Sequence, residues 1–403
     1  MHGLNLGFKA GTLGDAPLDA LLSGFSPSFV GLHGVAHPYG QNQYFDIHAI
    51  FPDTSRDSAD PDAYNFAPTD EYIKRIRETG AEIIFPLGES ADYFPKKPFA
   101  KEPVDKHKWA DICLHIVMHY NAGFADGYKW GLKYFEIYPG ADSKACFDGT
   151  RESYCELYAI TARLIKEHFP KVKLGGYSSL GFSAMNKLTD DVELRAAVGF
   201  LGGFFSYIAR AEDKIPFDFF TFKSFPNKPE ELVLHSKYAK SLIKEYSLRS
   251  LKTVISEFDI VKKDSLPTPA DYLASMISAE KNGIDALIFS PVCEQSRAAK
   301  ALADSVFGAL YALGGVIKVG EEYQRELYAA AALGEGGAAV AVASLEYSGG
   351  VELVVSGRAA ESFTLTEILP SGEKNSLGGL PVINGKVVIM AKKHSIYLCE
   401  FDV

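Results

Sequence analysis

The sequence predicts an α/β fold: a (β/α)8 TIM barrel over residues 1–315, followed by a C-terminal all-β sandwich domain over residues 316–403. Three observations carry this expectation. Short, mostly apolar runs alternate with longer segments of helical period as far as about residue 313, as βα units around a parallel sheet do. There are eight such runs, which favours a closed barrel over a doubly wound sheet. After Gly314-Gly315 the texture changes to short alternating runs parted by glycine-rich or serine-rich turns.

The barrel strands are expected at Leu4 to Phe8, Phe29 to His33, Glu82 to Leu87, Tyr134 to Ile137, Lys173 to Gly176, Phe217 to Phe222, Thr253 to Phe258 and Ala286 to Phe289. Helical period runs between them over Thr69 to Thr79, Asp105 to Tyr120, Thr150 to His168, Val192 to Ala209, Pro229 to Tyr246, Pro269 to Asn282 and Ala298 to Leu313. Pro229 and Pro269 open two of these, where a missing N–H leaves nothing unpaired. Asp70, Glu71, Glu230 and Glu231 fall in first turns, where the helix dipole favours negative charge. No GxGxxG or GxxxxGK[ST] sequence follows a strand, which argues against a nucleotide-binding sheet. The sandwich strands are expected at Ala338 to Ser344, Val351 to Val355, Phe363 to Ile368, Val387 to Met390 and Ser395 to Phe401.

Composition narrows the function classes. Lys and Arg total 41 against 51 Asp and Glu, a formal net charge of −10, so a phosphate-tracking surface and a nucleic-acid partner are not expected. No window approaches 18 uninterrupted apolar residues, so no membrane span is expected. Five scattered cysteines without a CxxC pair suggest neither a disulfide framework nor a zinc knuckle, and fit a reducing compartment. The expected location is cytoplasmic, or secreted or periplasmic if a signal peptide has been removed. Neither an organic cofactor nor a metal is implied, and no feature fixes an oligomeric state. The 27 Phe and 21 Tyr are plentiful enough to line a binding cleft as well as a core.

In a (β/α)8 barrel the reactive groups stand at the C-terminal ends of the strands. The leading candidate is Glu257, which ends the apolar run Thr253-Val254-Ile255-Ser256-Glu257-Phe258-Asp259. A carboxylate in that partly dry position can serve as nucleophile or acid/base; the alternative is a capping or salt-bridged carboxylate.

Several segments carry a resemblance. Phe135-Glu136-Ile137-Tyr138-Pro139-Gly140-Ala141-Asp142, then Phe147-Asp148-Gly149-Thr150 and the helix Tyr154 to His168, resemble the fourth strand of glycoside hydrolase family 39 and its relatives. Those proteins read F-E-I-W-N-E-P-D, then W-x-G-T, then a Y-x-x-L-Y-x-x-x-A-x-x-x-K helix. Ser256-Glu257-Phe258-Asp259 is similar to the family's nucleophile strand; Leu32-His33-Gly34, Tyr64-Asn65-Phe66 with Asp70, and Gly80 also match. The resemblance implies a retaining glycosidase of clan A acting on a carbohydrate, with a barrel, a C-terminal sandwich and two glutamates. One glutamate attacks the anomeric carbon; the other, about 5 Å away, protonates the leaving oxygen. Here Glu257 is the candidate nucleophile, while Pro139 and Gly140 stand at the family's asparagine and acid/base glutamate. Lys223 replaces the histidine of a W-H-S sequence, and Gly31 replaces an arginine. The alternative to a hydrolase is therefore a catalytically inactive glycan-binding or interaction protein on the same scaffold.

A substitute acid is sought nearby: Glu89 first, which directly follows the third strand, then Asp92, Asp142 and Glu294. His33, Asp46 and His48 are candidates to contact sugar hydroxyls, and Tyr138 and Phe258, with rim aromatics such as Tyr177 and Phe225, to give faces for a pyranose ring. A Lys223 ammonium paired with Glu257 would hold the carboxylate ionised, as a nucleophile or as a structural partner. His115 and His119 share a helix face, but Ile116 stands where a zinc-protease motif needs glutamate, so packing is expected there. Restoring Asn at 139 and Glu at 140 is expected to raise activity if the pocket is otherwise intact.

Overall fold

The computed structural model describes residues 2–5, 27–33, 45–88, 102–144, 146–182, 192–290, 294–314, 326–335, 337–354 and 360–401. The chain forms two compact units. The first gathers Met1–Phe225, Leu234–Asp259 and Ile284–Val292; the second gathers Pro226–Val233, Ile260–Gly283 and Cys293–Val403.

The first unit holds a closed parallel barrel of β1 (His2–Asn5), β2 (Phe29–Gly31), β3 (Glu82–Leu87), β4 (Tyr134–Ile137), β5 (Lys173–Ser179), β6 (Phe219–Ser224), β7 (Lys252–Phe258) and β8 (Ala286–Phe289). Each strand pairs with the next, and β8 pairs with β1 to close the ring. Among the described residues the α-helices, in chain order, are α1 (Ile47–Ile50), α2 (Ala67–Glu78), α3 (Lys106–Asn121), α4 (Arg151–His168), α5 (Val192–Arg210), α6 (Pro229–Glu245), α7 (Pro269–Lys281) and α8 (Glu294–Ala312). Local chemistry sets their starts. The Thr150 hydroxyl caps α4 by accepting the Ser153 N–H, and Thr268 forms a reciprocal capping box with Asp271 at the head of α7.

Side chains that step by two along the strands fill the barrel in layers. One layer is apolar: Phe29, Ile84, Phe219, Val254, Ala286 and Ile288 cluster with Tyr134. Two residues further along β4 and β6 the same inward direction carries Glu136 and Thr221, and one more step along β6 carries Lys223. The barrel thus turns from apolar to polar towards the C-terminal ends of its strands.

The second unit joins α7 and α8 to the C-terminal strands β9 (Leu327–Gly334), β10 (Gly337–Ser344), β11 (Gly349–Val354), β12 (Ser362–Ile368), β13 (Lys374–Pro381), β14 (Lys386–Ala391) and β15 (Ser395–Phe401). One antiparallel sheet runs β13-β12-β15-β10-β9, and a second pairs β11 with β14. Their facing sides share a core of Val342, Phe363, Val387, Ile389, Tyr397, Cys399 and Phe401. The two helices pack on each other and on β9 and β10, and every residue of α7 from Pro269 to Ala279 is buried.

Several boundaries differ from expectation. Pairing of β1 covers His2–Asn5, and residues 6–8 lie outside the described residues. β5 and β6 run on to Ser179 and Ser224, and the polar residues near their ends find partners: Ser178 bonds Ser256 on β7, and Ser224 bonds His235 on α6. Two sandwich strands were not expected. β9 is rich in alanine, whose helical preference is overridden by pairing along the whole of β10, and β13 is a polar, glycine-containing edge.

Candidate active site at the mouth of the barrel

Glu257 and Lys223 face each other across adjoining strands. Strict alternation from Val254 would turn Glu257 outwards, but the β6–β7 register shifts after Phe222 and sets Lys223 opposite Glu257. Such irregularities re-aim side chains. The Lys223 ammonium lies 2.8 Å from Glu257 Oε1, and His33 Nδ1 lies 3.4 Å from the same oxygen. Glu257 is 16% exposed and Lys223 25% exposed, so the pair borders solvent without being immersed in it.

Behind this pair stands a second carboxylate. Glu136 is fully buried, forms an ion pair with His33 Nε2, and accepts a hydrogen bond from the Thr221 hydroxyl. The Ser178 N–H donates to Thr221 Oγ1 at 2.7 Å, and the Ser178 and Ser256 hydroxyls bond each other at 2.8 Å. The result is a chain Lys223–Glu257–His33–Glu136 in which two cations alternate with two anions. Burial alone would push His33 down, but Glu136 and then Glu257 outweigh it and raise the imidazole to about 9. Burial would raise Glu257, yet Lys223 and His33 hold it at about 2. Burial opposes the Lys223 charge, while Glu257 lifts the ammonium above the ordinary lysine range.

These shifts fix the pH dependence of stability. His33, raised from 6.5 to about 9, stabilises the fold below its unfolded pKa and loses that contribution as pH rises through 9. Glu257, depressed from 4.5 to about 2, contributes above its unfolded pKa and loses that contribution as pH falls through 2. Unfolding free energy measured by urea titration is expected to fall on each limb by on the order of 2–3 kcal/mol. His33→Gln should flatten the alkaline limb between pH 6.5 and 9, and a slope unchanged by that substitution would refute the assignment.

The loop after β4 packs against the C-terminal end of β5. Gly140 has φ +76°, and a Cβ placed there would lie 2.7 Å from Cys146 Sγ. Asp142 accepts the Ser179 hydroxyl at 2.6 Å and the Leu180 N–H at 3.1 Å; burial nonetheless raises it to about 6. The expectation that Glu at 140 restores a pocket is thereby revised. Gly140→Glu is expected to cost roughly 2–4 kcal/mol, from left-handed strain and overpacking against the sulfur, and to leave turnover no higher. A variant as stable as the parent in urea and more active on aryl glycosides would contradict this.

Residues 35–274 match the family model described as glycosyl hydrolases family 39. The chain belongs to this family. A beta-xylosidase of Geobacillus stearothermophilus is 26% identical over 231 residues, 54% of this chain and 45% of that protein. The chain therefore matches a little less than half the length of that relative. A glucosidase from Croceicoccus marinus shares the fold with a TM-score of 0.74 at 18% identity, over 100% of this chain and 96% of that one. The GH39 enzyme from Xanthomonas axonopodis pv. citri does so with a TM-score of 0.68 at 13% identity, over 100% and 94%.

Within the family 39 barrel the sequence candidates separate. Glu257, Lys223 and His33 come together. Tyr138 is fully buried between Trp109 and Phe147, and Phe258 and Tyr177 are also buried, so these rings pack rather than offer a face. Phe225 is exposed. Asp46 is buried and caps α1 by accepting the His48 N–H at 2.8 Å; His48 is half-buried in that helix. Glu89 and Asp92 lie outside the described residues, and Glu294 opens α8 in the second unit. His119 bridges Asp70 at 3.0 Å and the Phe124 carbonyl at 2.8 Å while stacking on Phe66, a packing role. Sequence reasoning gave Glu136 no role. Its signal was present: a lone carboxylate inside Tyr134-Phe135-Glu136-Ile137 cannot be buried without a partner.

Proposed function

We propose that this chain is a carbohydrate-active hydrolase that takes a glycoside at the barrel mouth and uses Glu257 as the nucleophile of a retaining reaction. The observation that carries the reading is Glu257 itself, ionised at a strand end by Lys223 at 2.8 Å and by His33 at 3.4 Å, in a family 39 barrel. An ionised carboxylate can attack the anomeric carbon from one face of the sugar while the aglycone oxygen departs from the other. The buried Glu136 fixes His33 from behind, so the imidazole keeps its second nitrogen towards Glu257. Without a glutamate at 140, cleavage should favour aglycones that leave readily, because general acid help contributes on the order of 10²–10⁴-fold.

The names of the relatives make aryl xylosides and aryl glucosides the first substrates to try. The test is turnover of such glycosides with and without azide. A glycosyl-enzyme ester slow to hydrolyse is captured by azide, which needs no base; faster release and a glycosyl azide of retained configuration are expected. Absence of turnover across a broad sugar panel, together with glycan binding by calorimetry, would replace this reading with a second one. That second reading, a binding protein, is favoured by the lock of two cations on Glu257.

A further inference from the structure

We propose that His33 is the general acid and base of this site, and that the buried Glu136 is the residue that positions it. The proposal rests on the reading of Glu257 as nucleophile.

The first argument is spatial. Among the described residues two proton-bearing side chains reach the Glu257 carboxylate, Lys223 at 2.8 Å and His33 at 3.4 Å. His33 stands two residues past β2, and its side chain keeps 9% of its surface exposed. In a retaining reaction the attacking and assisting groups stand roughly 5 Å apart across the anomeric carbon. A nitrogen 3.4 Å from the attacking oxygen can lie beside the sugar and still come within about 3 Å of the departing oxygen. Orientation follows from the pairing behind the ring. Glu136 holds Nε2, so Nδ1 turns to Glu257 and, at 3.5 Å, to the Ser178 hydroxyl. An imidazole gripped at one nitrogen by a buried carboxylate and exchanging protons at the other is the arrangement by which a histidine takes and returns a proton.

The second argument is electrostatic, and it separates the two groups. Among the described residues the titratable side chains facing His33 are Glu136 on β4 and Glu257 on β7, with the Lys223 ammonium of β6 on the same Glu257 oxygen. Glu257 lifts Lys223 above the ordinary lysine range, so its amine form is too scarce to serve as a base. His33 gives up its proton near pH 9, and part of what holds that proton is the Glu257 charge. An imidazolium held by two carboxylates yields its proton less readily than a carboxylic acid does, in keeping with a preference for aglycones that leave readily.

The cycle balances in charge. In the first step the Nδ1 proton passes to the glycosidic oxygen as its bond to the anomeric carbon breaks, and a Glu257 oxygen bonds to that carbon. The products are a free alcohol, a glycosyl ester on Glu257 and a neutral His33 that keeps its Nε2 proton towards Glu136. The chain of two cations and two anions becomes one of a single cation and a single anion, neutral before the step and after it. Esterification removes the charge that held the imidazolium proton, so nucleophilic attack and proton release favour each other. In the second step Nδ1 takes a proton from water, the water oxygen bonds to the anomeric carbon as the ester bond breaks, and the Glu257 carboxylate and the imidazolium are regenerated.

Two measurements on the full chain test this. In the first, the pH profile of kcat/KM on an aryl glycoside should show a basic limb near pH 9, with circular dichroism showing the chain folded at each pH. Glu136→Gln withdraws one of the two anions that hold the His33 proton, so it should move that limb down by at least one pH unit. A limb that Glu136→Gln leaves in place would overturn the proposal. In the second, His33→Gln is assayed on aryl glycosides of graded leaving-group pKa. Its kcat/KM should fall in proportion to that pKa, from less than about tenfold for the best leaving group to about 10³-fold for the worst, and azide should restore turnover of the best as a glycosyl azide. A loss equal across the series would reduce His33 to a support for Glu257 and overturn the proposal. Should His33→Gln fail to fold, the first measurement decides, since it leaves His33 in place. If Glu257→Gln is dead while His33→Gln loses activity uniformly, His33 has no acid/base role and the nucleophile reading stands. If Glu257→Gln remains active, or the parent turns nothing over, the functional reading fails and the His33 role fails with it.

Discussion

Replacing Glu257 by glutamine is expected to lower turnover of aryl glycosides by roughly 10⁴-fold or more, the scale on which deleted nucleophiles are felt. The substitution keeps the shape of the side chain and an oxygen for the Lys223 ammonium, so the fold should persist and the loss should be chemical. Its check is kcat on a purified variant whose circular dichroism shows it folded under the assay conditions, since losing the carboxylate charge lowers its stability as well. Stereochemistry sharpens the result. Azide acting on a glycosyl-enzyme ester returns a product of retained configuration, whereas Glu257→Ala opens room for azide to attack the substrate directly and invert it. Retained product from Glu257→Ala would assign the nucleophile to another residue.

Replacing His33 by alanine is expected to destabilise the protein by about 3–5 kcal/mol, because it leaves the Glu136 carboxyl fully buried and without its imidazole partner. Thr221 still donates one hydrogen bond, which solvates the carboxylate only in part. Removing both partners is a gentler change than removing one. The double variant His33→Leu with Glu136→Met should therefore be at least about 2 kcal/mol more stable than the single variant. Urea unfolding of the four proteins provides the cycle, and a His33→Ala cost below about 1 kcal/mol would show that the pair is not buried as described.

The architecture was legible because it is written in period. Alternation of two-residue and helical spacing marks the barrel, and Gly314 marks the change to all-β texture. The pairing of Lys223 with Glu257 was legible from strand ends, whereas His33, expected to contact sugar hydroxyls, stands between Glu257 and Glu136. Glu136 was not picked out, although Tyr134 lies in the apolar layer of the barrel and Glu136 points the same way two residues on. A count of inward positions from a known core residue would have found it. The register shift between β6 and β7 is different in kind, since it depends on how two strands meet and leaves no local mark. Position 140 shows the same limit: the sequence shows a glycine where the resemblance implies a glutamate, but only folding shows that a Cβ there would meet the sulfur of Cys146. β9 misled through its alanines, whose intrinsic preference is weaker than a full ladder of pairing.

The strand order of the second unit also bears on how the protein is made. β15, the last of its strands to be synthesised, lies at the centre of the five-stranded sheet, between β12 and β10. Ser395 follows Lys281 by 114 residues, so at roughly 5–20 residues per second the buried helix α7 leaves the ribosome about 6–23 s before that central strand. During this interval its apolar surface has no finished sheet to meet, which is the stage at which the nascent chain is most exposed to aggregation. A stop codon that removed only β15 would take away the keystone of this unit rather than an edge.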